Sequence, residues 1–231
     1  MALPYFYIET IDSNDVQLDE PTSKHVVSVL RMAKGEELLL TDGKGLKARA
    51  VIEDDNRKRC TVRIVERQNE APLQPRVILA ISLVKNAARF EWFLEKATEI
   101  GVTEIIPFLG ARTEKEKFRS ERLQGILQSA MLQSQQCWMP VLREPIPFGQ
   151  VLAVEAAQRF IAHCEEDEKR SLPEALAPGA DRLLLIGPEG DFTPKEISEA
   201  VGVGFVPVSL GVTRLRTETA GMVGAVLLRN L

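Results

Sequence analysis

A glycine-containing turn follows a short apolar strand in the last third of the sequence. The strand Leu183–Ile186 runs into Ile186-Gly187-Pro188-Glu189-Gly190, and a helix pattern starts at Pro194. Open α/β sheets bind ligands at such turns, beyond the carboxyl ends of their strands. Because Gly187 and Gly190 have no side chains, a flat ligand could approach the backbone there. A tight turn that only joins strand to helix would have the same pattern.

A second turn, Leu210-Gly211-Val212-Thr213-Arg214-Leu215-Arg216, also lies between a strand and a helix. Thr217 or Thr219 is expected to cap this helix, and Glu218 faces its positive end. Arg216 lies at the positive N-terminal end of this helix, where a cation is unfavourable. Its position suggests that it acts on an anion or a polar substrate. Glu218 could accept a proton, cap the helix or orient Arg216. A surface ion pair of Glu218 with Arg214 or Arg216 is the alternative.

Other chemistries have weak support in this sequence. Gly202-Val203-Gly204 precedes a strand and lacks the third glycine of a dinucleotide fingerprint, and Gly43-Lys44-Gly45 lacks the remaining residues of a P-loop. Two isolated histidines, His25 and His163, do not suggest a metal site. We therefore expect neither a metal nor a phosphate-loop nucleotide site.

The cysteines and the hydropathy pattern bear on the compartment. The three cysteines are scattered and form no Cys-x-x-Cys pair, which argues against a disulfide framework and favours a reducing cytoplasm. No segment has the roughly 18 consecutive apolar residues that a membrane span needs. We therefore expect a cytoplasmic protein that does not contact a membrane.

The two turns belong to a stretch in which strands alternate with helices, after an expected linker at residues 70–75. Alternation of this kind predicts an α/β domain over residues 71–231, with a mainly parallel sheet covered on both faces. The expected strands are 77–84, 104–109, 159–163, 183–186 and 205–210. The expected helices are 90–100, 116–133, 194–201 and 219–228.

Residues 1–70 have a mostly β pattern and predict a small β-barrel domain. Strands are expected at 5–8, 37–41, 46–52 and 60–65, with a helix at 21–31 and a hairpin turn at Asp42-Gly43-Lys44-Gly45. The whole chain has a net charge of −4, but residues 24–67 hold eleven Lys/Arg against seven Asp/Glu, a local net of +4. Such a surface could attract phosphates, although a solvated face of mixed charge would have the same composition.

Four segments in this order resemble the knotted SPOUT class of methyltransferases, and within it the family that methylates N3 of a uridine in 16S ribosomal RNA. The segments, which extend over nearly the whole chain, are His25–Arg31 with Asp42–Gly45, Lys96–Pro107, Ile186–Gly190 and Leu215–Ala220. The sequence departs from the family pattern at three positions. Asp191 stands where the family often has a second glycine, Gln136 and Thr213 where it commonly has arginines.

The resemblance implies a knotted SPOUT-type parallel-sheet domain with a C-terminal trefoil knot, preceded by a PUA-like barrel, in a homodimer. It implies S-adenosylmethionine as cofactor and 16S rRNA of the small ribosomal subunit as partner, without a metal. The alternatives are a SPOUT-type enzyme for another rRNA or tRNA base, or a non-catalytic RNA-binding factor of ribosome assembly.

The two turns, the basic N-terminal domain and the resemblance together predict roles for individual residues. Arg216 and Glu218 are expected to be catalytic. The residues expected to hold the cofactor are Ile186, Gly187, Glu189, Gly190, Leu210, Gly211 and Leu215. Those expected to bind RNA are Arg31, Lys44, Lys47 and Lys85.

Overall fold

The computed structural model describes residues 3–114, 118–166 and 169–231. Internal contacts divide the chain into two compact units. The N-terminal unit contains the chain up to Pro72 together with Met131–Met139, and the C-terminal unit contains Leu73–Ala130 and Pro140–Leu231. None of the helices in these described ranges is long and apolar enough to cross a membrane.

The N-terminal unit is a five-stranded sheet in the order β1-β3-β4-β5-β2. Its strands are β1 (Tyr5–Tyr7), β2 (Asp15–Gln17), β3 (Glu37–Thr41), β4 (Leu46–Asp54) and β5 (Thr61–Asn69). The β1–β3 pair is parallel and the others are antiparallel. The predicted hairpin is confirmed, since Gly43 and Gly45 have φ of 70° and 101° between β3 and β4. Strand β2 was not expected from the sequence.

The helix expected at residues 21–31 is only partly α-helical. Helix α1 (Glu20–Lys24) is capped by Asp19, and a π-helical turn (His25–Val29) follows it. Arg31 then has a left-handed φ of 58°. The side chains of Val26, Leu38, Leu40, Ile52 and Val62 are buried together between this segment and the sheet.

The C-terminal unit contains a sheet of eight strands in which every described pairing is parallel. The order is β11-β13-β10-β12-β6-β7-β8, and β9 also pairs with β7. The strands are β6 (Val77–Ser82), β7 (Glu104–Leu109), β8 (Val141–Leu142), β9 (Ile146–Pro147), β10 (Gln158–Ala162), β11 (Arg170–Ser171), β12 (Arg182–Ile186) and β13 (Val206–Ser209). The predicted α/β class with a parallel sheet is confirmed.

The helices of this unit are α2 (Ala87–Ile100), α3 (Ser120–Gln133), α4 (Phe148–Val151), α5 (Leu172–Ala175), α6 (Pro194–Gly202) and α7 (Thr217–Asn230). Gly101 ends α2 in the left-handed conformation, and a Thr193–Glu196 capping box starts α6, so both helices lie close to their expected bounds. Helix α3 was expected from Glu116, which lies outside the described residues. The short elements β8, β9, β11, α4 and α5 were not predicted.

Candidate active site

Strands β10, β12 and β13 are neighbours in the parallel sheet, so their carboxyl ends meet at one edge. The loops that follow Ala162, Ile186 and Ser209 enclose two adjoining cavities of about 470 and 300 Å³. Ala162, Cys164, Arg214, Leu215 and Ala220 line both cavities. This is the edge at which the sequence predicted a ligand site.

The larger cavity lies between the loop after β10 and the turn after β13. Leu210, Gly211 and Leu215, which were predicted to hold the cofactor, are among its lining residues. His163, Cys164 and Lys169 also line it, although the sequence did not predict them as site residues. Their position follows from the strand order, which brings β10 next to both β12 and β13.

The smaller cavity contains the first turn of the sequence analysis. Ile186, Gly187 and Glu189 line it together with Leu215 and Arg216. Gly190 does not line this cavity, and its carbonyl oxygen accepts a hydrogen bond from Arg112 Nη1 at 2.5 Å. The structure therefore brings residues of both predicted turns together around one space.

The absence of a side chain at Gly187 has an internal reason. A Cβ there would lie 3.0 Å from the ring of Phe192, which is fully buried and stacks on Phe108 at 6.0 Å. At Gly190 a Cβ would lie 3.3 Å from Arg112 Cδ. Packing against Phe192 therefore disfavours a side chain at Gly187 even without a ligand, which agrees with the structural alternative that the sequence left open for this turn.

The N-cap residue of α7 is not one of the two threonines expected from the sequence. Arg216 occupies the N-cap position without a side-chain cap bond, so neither Thr217 nor Thr219 is the cap. Thr217 is buried, and its Oγ1 donates a hydrogen bond to the carbonyl oxygen of Gly187 at 3.0 Å. This bond fixes the start of α7 against the turn after β12.

Arg216 and Glu218 lie in different surroundings. Arg216 is exposed, lines the smaller cavity and forms no salt bridge with a residue in the described ranges. Glu218 is buried, and its Oε1 lies 3.6 Å from Arg89 Nε on α2. Neither of the surface ion pairs considered for Glu218 forms, because Arg89 is its salt-bridge partner. Its second oxygen, Oε2, is buried and has no hydrogen-bond partner in the part of the chain that the structure describes.

Basic side chains also lie near the turn after β12. The backbone N–H of Lys85 donates to Glu189 Oε1 at 3.1 Å, and Lys85 Nζ lies 2.9 Å from Glu114 Oε2. Arg112, which the sequence analysis missed, is exposed beside Gly190. Lys85 and Arg112 follow β6 and β7, whose carboxyl ends lie at the same edge of the sheet as that of β12.

The basic charge of the N-terminal unit is unevenly compensated. Lys47 lies 3.9 Å from Glu70, Arg49 pairs with Glu37 and Glu66, and Arg63 pairs with Asp15 and Glu53. Lys44 and Arg31 are exposed and take part in no salt bridge within the described residues.

A second group of basic residues lies in two loops at one end of the five-stranded sheet. Lys34 is in the loop between the π-helical turn and β3, and Arg57, Lys58 and Arg59 are in the β4–β5 loop. All four residues are exposed. The two loops share this end because Gly35 N donates to Ile52 O, two residues before the last residue of β4. We call Arg31, Lys34 and residues 57–59 the basic end of the N-terminal unit. It bears five positive charges near Glu36, Asp54 and Asp55.

Burial affects the reactivity of the cysteines. It raises the pKa of the Cys60 thiol to about 11 and that of the Cys137 thiol to about 12. Cys164 is exposed and lines both cavities. The described residues contain no group of three or more His, Cys, Asp or Glu side chains that could hold a metal ion.

Comparisons with known proteins agree with this architecture. Residues 69–229 match the family model of the RNA methyltransferase domain, and residues 18–65 match that of the RNA methyltransferase PUA domain. The ribosomal RNA small subunit methyltransferase E of Mycobacterium bovis is 32% identical over 239 residues, covering 96% of this chain and 90% of the relative.

Two solved structures are also similar over nearly the whole chain. A probable rRNA methyltransferase from Porphyromonas gingivalis is 42% identical with a TM-score of 0.91, covering 96% of this chain and 95% of the other. A ribosomal RNA small subunit methyltransferase E from Neisseria gonorrhoeae, bound to S-adenosyl methionine, is 28% identical with a TM-score of 0.86. The match covers 97% of this chain and 95% of the other.

Proposed function

Because this chain belongs to the RNA methyltransferase family, with an RNA methyltransferase PUA domain before its catalytic domain, we propose that it methylates small-subunit ribosomal RNA from S-adenosylmethionine. The finer proposal is that N3 of a uridine in 16S rRNA accepts the methyl group. The observation that carries both is the pair of adjoining cavities at the carboxyl edge of β10, β12 and β13, with Arg216 beside them.

The residues of these cavities suit S-adenosylmethionine. Volumes of about 300 and 470 Å³ are in the range of small-molecule sites. The smaller cavity is lined by two acidic residues, Glu189 and Asp191, and by two basic ones, Arg214 and Arg216, which fits a ligand that carries both positive and negative charge. In this proposal Ile186, Gly187 and Glu189 hold the cofactor from one side, and Leu210, Gly211 and Leu215 from the other. Gly190, which was expected to join them, lies outside both cavities and is bound by Arg112 instead. The bound cofactor would supply an electrophilic methyl group on a sulfonium.

Arg216 is proposed to stabilise charge on the base. Uracil N3 is a poor nucleophile until it loses its proton, and the negative charge then spreads onto the neighbouring carbonyl oxygens. A guanidinium that donates to one of these oxygens favours the charged form. Arg216 can supply it because it is exposed at the cavity and has no salt-bridge partner among the described residues.

For Glu218 the contacts favour a positioning role over the proton transfer considered from the sequence. Its carboxylate is buried and faces Arg89 of α2. Since α2 packs against α7, this pair holds the first turn of α7 and the preceding Arg216 in place.

Two groups of basic residues are proposed to contact RNA phosphates. In the C-terminal unit these are Lys85 and Arg112, which lie beside the turn at Gly187–Gly190. In the N-terminal unit they are Lys44, Lys47 and the basic end, which includes Arg31. Lys47 is expected to contribute least, because Glu70 already faces it.

The proposal includes a homodimer, a C-terminal trefoil knot and a cytoplasmic location. The dimer is supported by exposed apolar side chains on two helices that pack together, Trp92 on α2 and Val226 on α7, each 40% exposed. The location follows from the ribosomal substrate.

The direct test is methylation of small subunits from a strain that lacks this protein, followed by mass spectrometry of the nucleosides. We expect N3-methyluridine to appear only when the protein and S-adenosylmethionine are both present. A different methylated nucleoside would contradict the base assignment. Cofactor binding without any methyl transfer would instead indicate a non-catalytic RNA-binding factor.

A further inference from the structure

Asp191 has a backbone conformation that most side chains avoid. Its φ is 62°, in the left-handed region, and it is followed by the buried Phe192. Aspartate tolerates this region better than most residues, but glycine would adopt it at lower cost. An aspartate at this position is therefore informative about what its carboxylate does.

The carboxylate of Asp191 joins two loops of the candidate active site. Its Oδ2 accepts a hydrogen bond from the backbone N–H of Cys164 at 2.7 Å, and its Oδ1 accepts one from the N–H of Phe192 at 2.8 Å. The N–H of Asp191 donates to Pro188 O at 2.9 Å, which closes the turn. One side chain thus connects the loop after β10 to the turn after β12.

Both connected loops line the smaller cavity. Ala162 and Cys164 form one wall of it, and Ile186–Glu189 with Asp191 form another. Two other hydrogen bonds already hold the turn after β12. The backbone N–H of Lys85 donates to Glu189 Oε1, and Arg112 Nη1 donates to the carbonyl oxygen of Gly190. The bond to Cys164 therefore fixes the loop after β10 against a turn that is itself held in place.

We propose that Asp191 is a positioning residue for the cofactor: it holds the loop after β10 against the turn after β12 and keeps the cavity between them formed before the ligand binds. Without this connection the cofactor must order the loop as it binds, and its affinity falls by the cost of that ordering. This inference rests on the proposed function for the identity of the ligand, but the connection between the loops does not depend on it.

The test compares Asp191→Gly with a matched control, Asp181→Gly. Glycine tolerates the φ of residue 191, so the first variant removes the carboxylate without straining the backbone. Asp181 Oδ1 also accepts a backbone hydrogen bond, from Arg76 N at 2.9 Å, but at the opposite edge of the same sheet. The intermediate variant Asp191→Asn keeps one acceptor oxygen.

Three measurements are made on the full-length protein. The first is hydrogen exchange of the Cys164 amide without cofactor, and the second is the Kd of S-adenosylhomocysteine by calorimetry. The third is steady-state methylation of small subunits, to separate the KM for S-adenosylmethionine from kcat and from the KM for the subunit.

In Asp191→Gly we expect faster exchange at Cys164 and a Kd and cofactor KM raised about three- to tenfold, with kcat and the subunit KM unchanged. Asp191→Asn should lie between this variant and the wild type, and Asp181→Gly should match the wild type in all three.

The inference is overturned if Asp191→Gly binds S-adenosylhomocysteine as tightly as the wild type, or if Asp181→Gly weakens binding equally. A wild-type protein that does not bind this ligand would overturn the proposed cofactor instead. The Cys164 exchange rates would then still decide whether Asp191 holds the loop.

Discussion

Arg216 illustrates how a single residue can combine exposure with a fixed position. Its backbone is the N-cap of α7, and the next residue, Thr217, is hydrogen-bonded to Gly187 O. The guanidinium is therefore attached to a rigid point although its own side chain faces the cavity. Charge stabilisation in catalysis depends on such preorganisation.

Arg216→Ala is expected to lower the single-turnover methylation rate about 10²- to 10³-fold at saturating substrate, because the charge on the uracil oxygens is then uncompensated. The Kd of S-adenosylhomocysteine should change little. Arg214→Ala is the neighbouring control, since Arg214 lines both cavities; it should affect the cofactor KM more than the rate. An equal loss of rate in both variants would contradict the specific role of Arg216.

The residues of the site could be predicted where local sequence identifies them. Ile186–Glu189 and Leu210–Leu215 line the two cavities and lie at the ends of apolar strands, so the strand-end rule identified them as candidates. His163, Cys164 and Arg112 follow β10 and β7, and they reach the site only through the order of the strands in the sheet. That order is a long-range property that the local pattern does not contain.

At the scale of elements, α7 lies close to helix α2 and to the sheet because two of its residues are glycines. A Cβ at Gly221 would lie 2.7 Å from Phe93 Cε2, and one at Gly224 would lie 2.5 Å from Leu184 Cδ2. Phe93 and Leu184 are fully buried in the protein core. Helix propensity alone would disfavour both glycines, so close packing explains their presence.

Gly224→Ala is expected to destabilise the protein by about 1–3 kcal/mol, because the added methyl overlaps Leu184. Gly125→Ala in α3 is the matched control, since a Cβ there meets nothing within 4 Å. It should be neutral or stabilise by up to about 1 kcal/mol. Urea unfolding of both variants measures the difference. Equal stability of the two would show that the α7 glycines are not required by packing.

Long elements with clear boundaries were predictable, and short ones were not. Strands β3, β7 and β12 and helices α2 and α6 lie within a few residues of their expected bounds, because apolar periodicity and caps identify them. Strands β8, β9 and β11 have two residues each and form only by pairing with a neighbour. The π-helical turn at His25–Val29 bonds Leu30 N to His25 O, a spacing that a 3.6-residue pattern does not reveal.

At the scale of the whole molecule, an acidic chain is proposed to bind a polyanion. This is reasonable because many of its charges are already paired within the protein, as Arg49 and Arg63 are, whereas the basic end extends into solvent. Local charge governs the interaction with phosphates more than net charge does.

The combined variant Arg57→Ala, Lys58→Ala, Arg59→Ala should weaken binding to small subunits. The slope of log K against log salt should become shallower by about 0.7–0.9 for each phosphate that the variant no longer neutralises. Arg63→Ala is the control, because Asp15 and Glu53 already compensate its charge. The slope is measured by filter binding at several salt concentrations. If both variants change it equally, the basic end has no special part in RNA binding.

Association of two copies is expected through the exposed apolar side chains of α2 and α7, which include Trp92 and Val226. Light scattering at micromolar concentration should give twice the chain mass of 25.7 kDa. Trp92→Glu should shift this toward the monomer, because a charge cannot be buried there without a partner. Val65→Glu on β5, where Val65 is 49% exposed, should leave the mass unchanged. A monomeric wild-type protein would contradict the proposed dimer.

The connections around the active site share a feature with a consequence for molecular evolution. Asp191 binds the N–H of Cys164, Glu189 binds the N–H of Lys85, and Thr217 binds the carbonyl of Gly187. In each, one partner is a backbone group, so the hydrogen bond itself does not specify the residue type of that partner. Correlated substitutions, which reveal contacts between two side chains, would therefore not reveal these contacts among relatives. In an alignment of relatives, each contact would instead appear as a preference at one position, that of the residue which supplies the side chain.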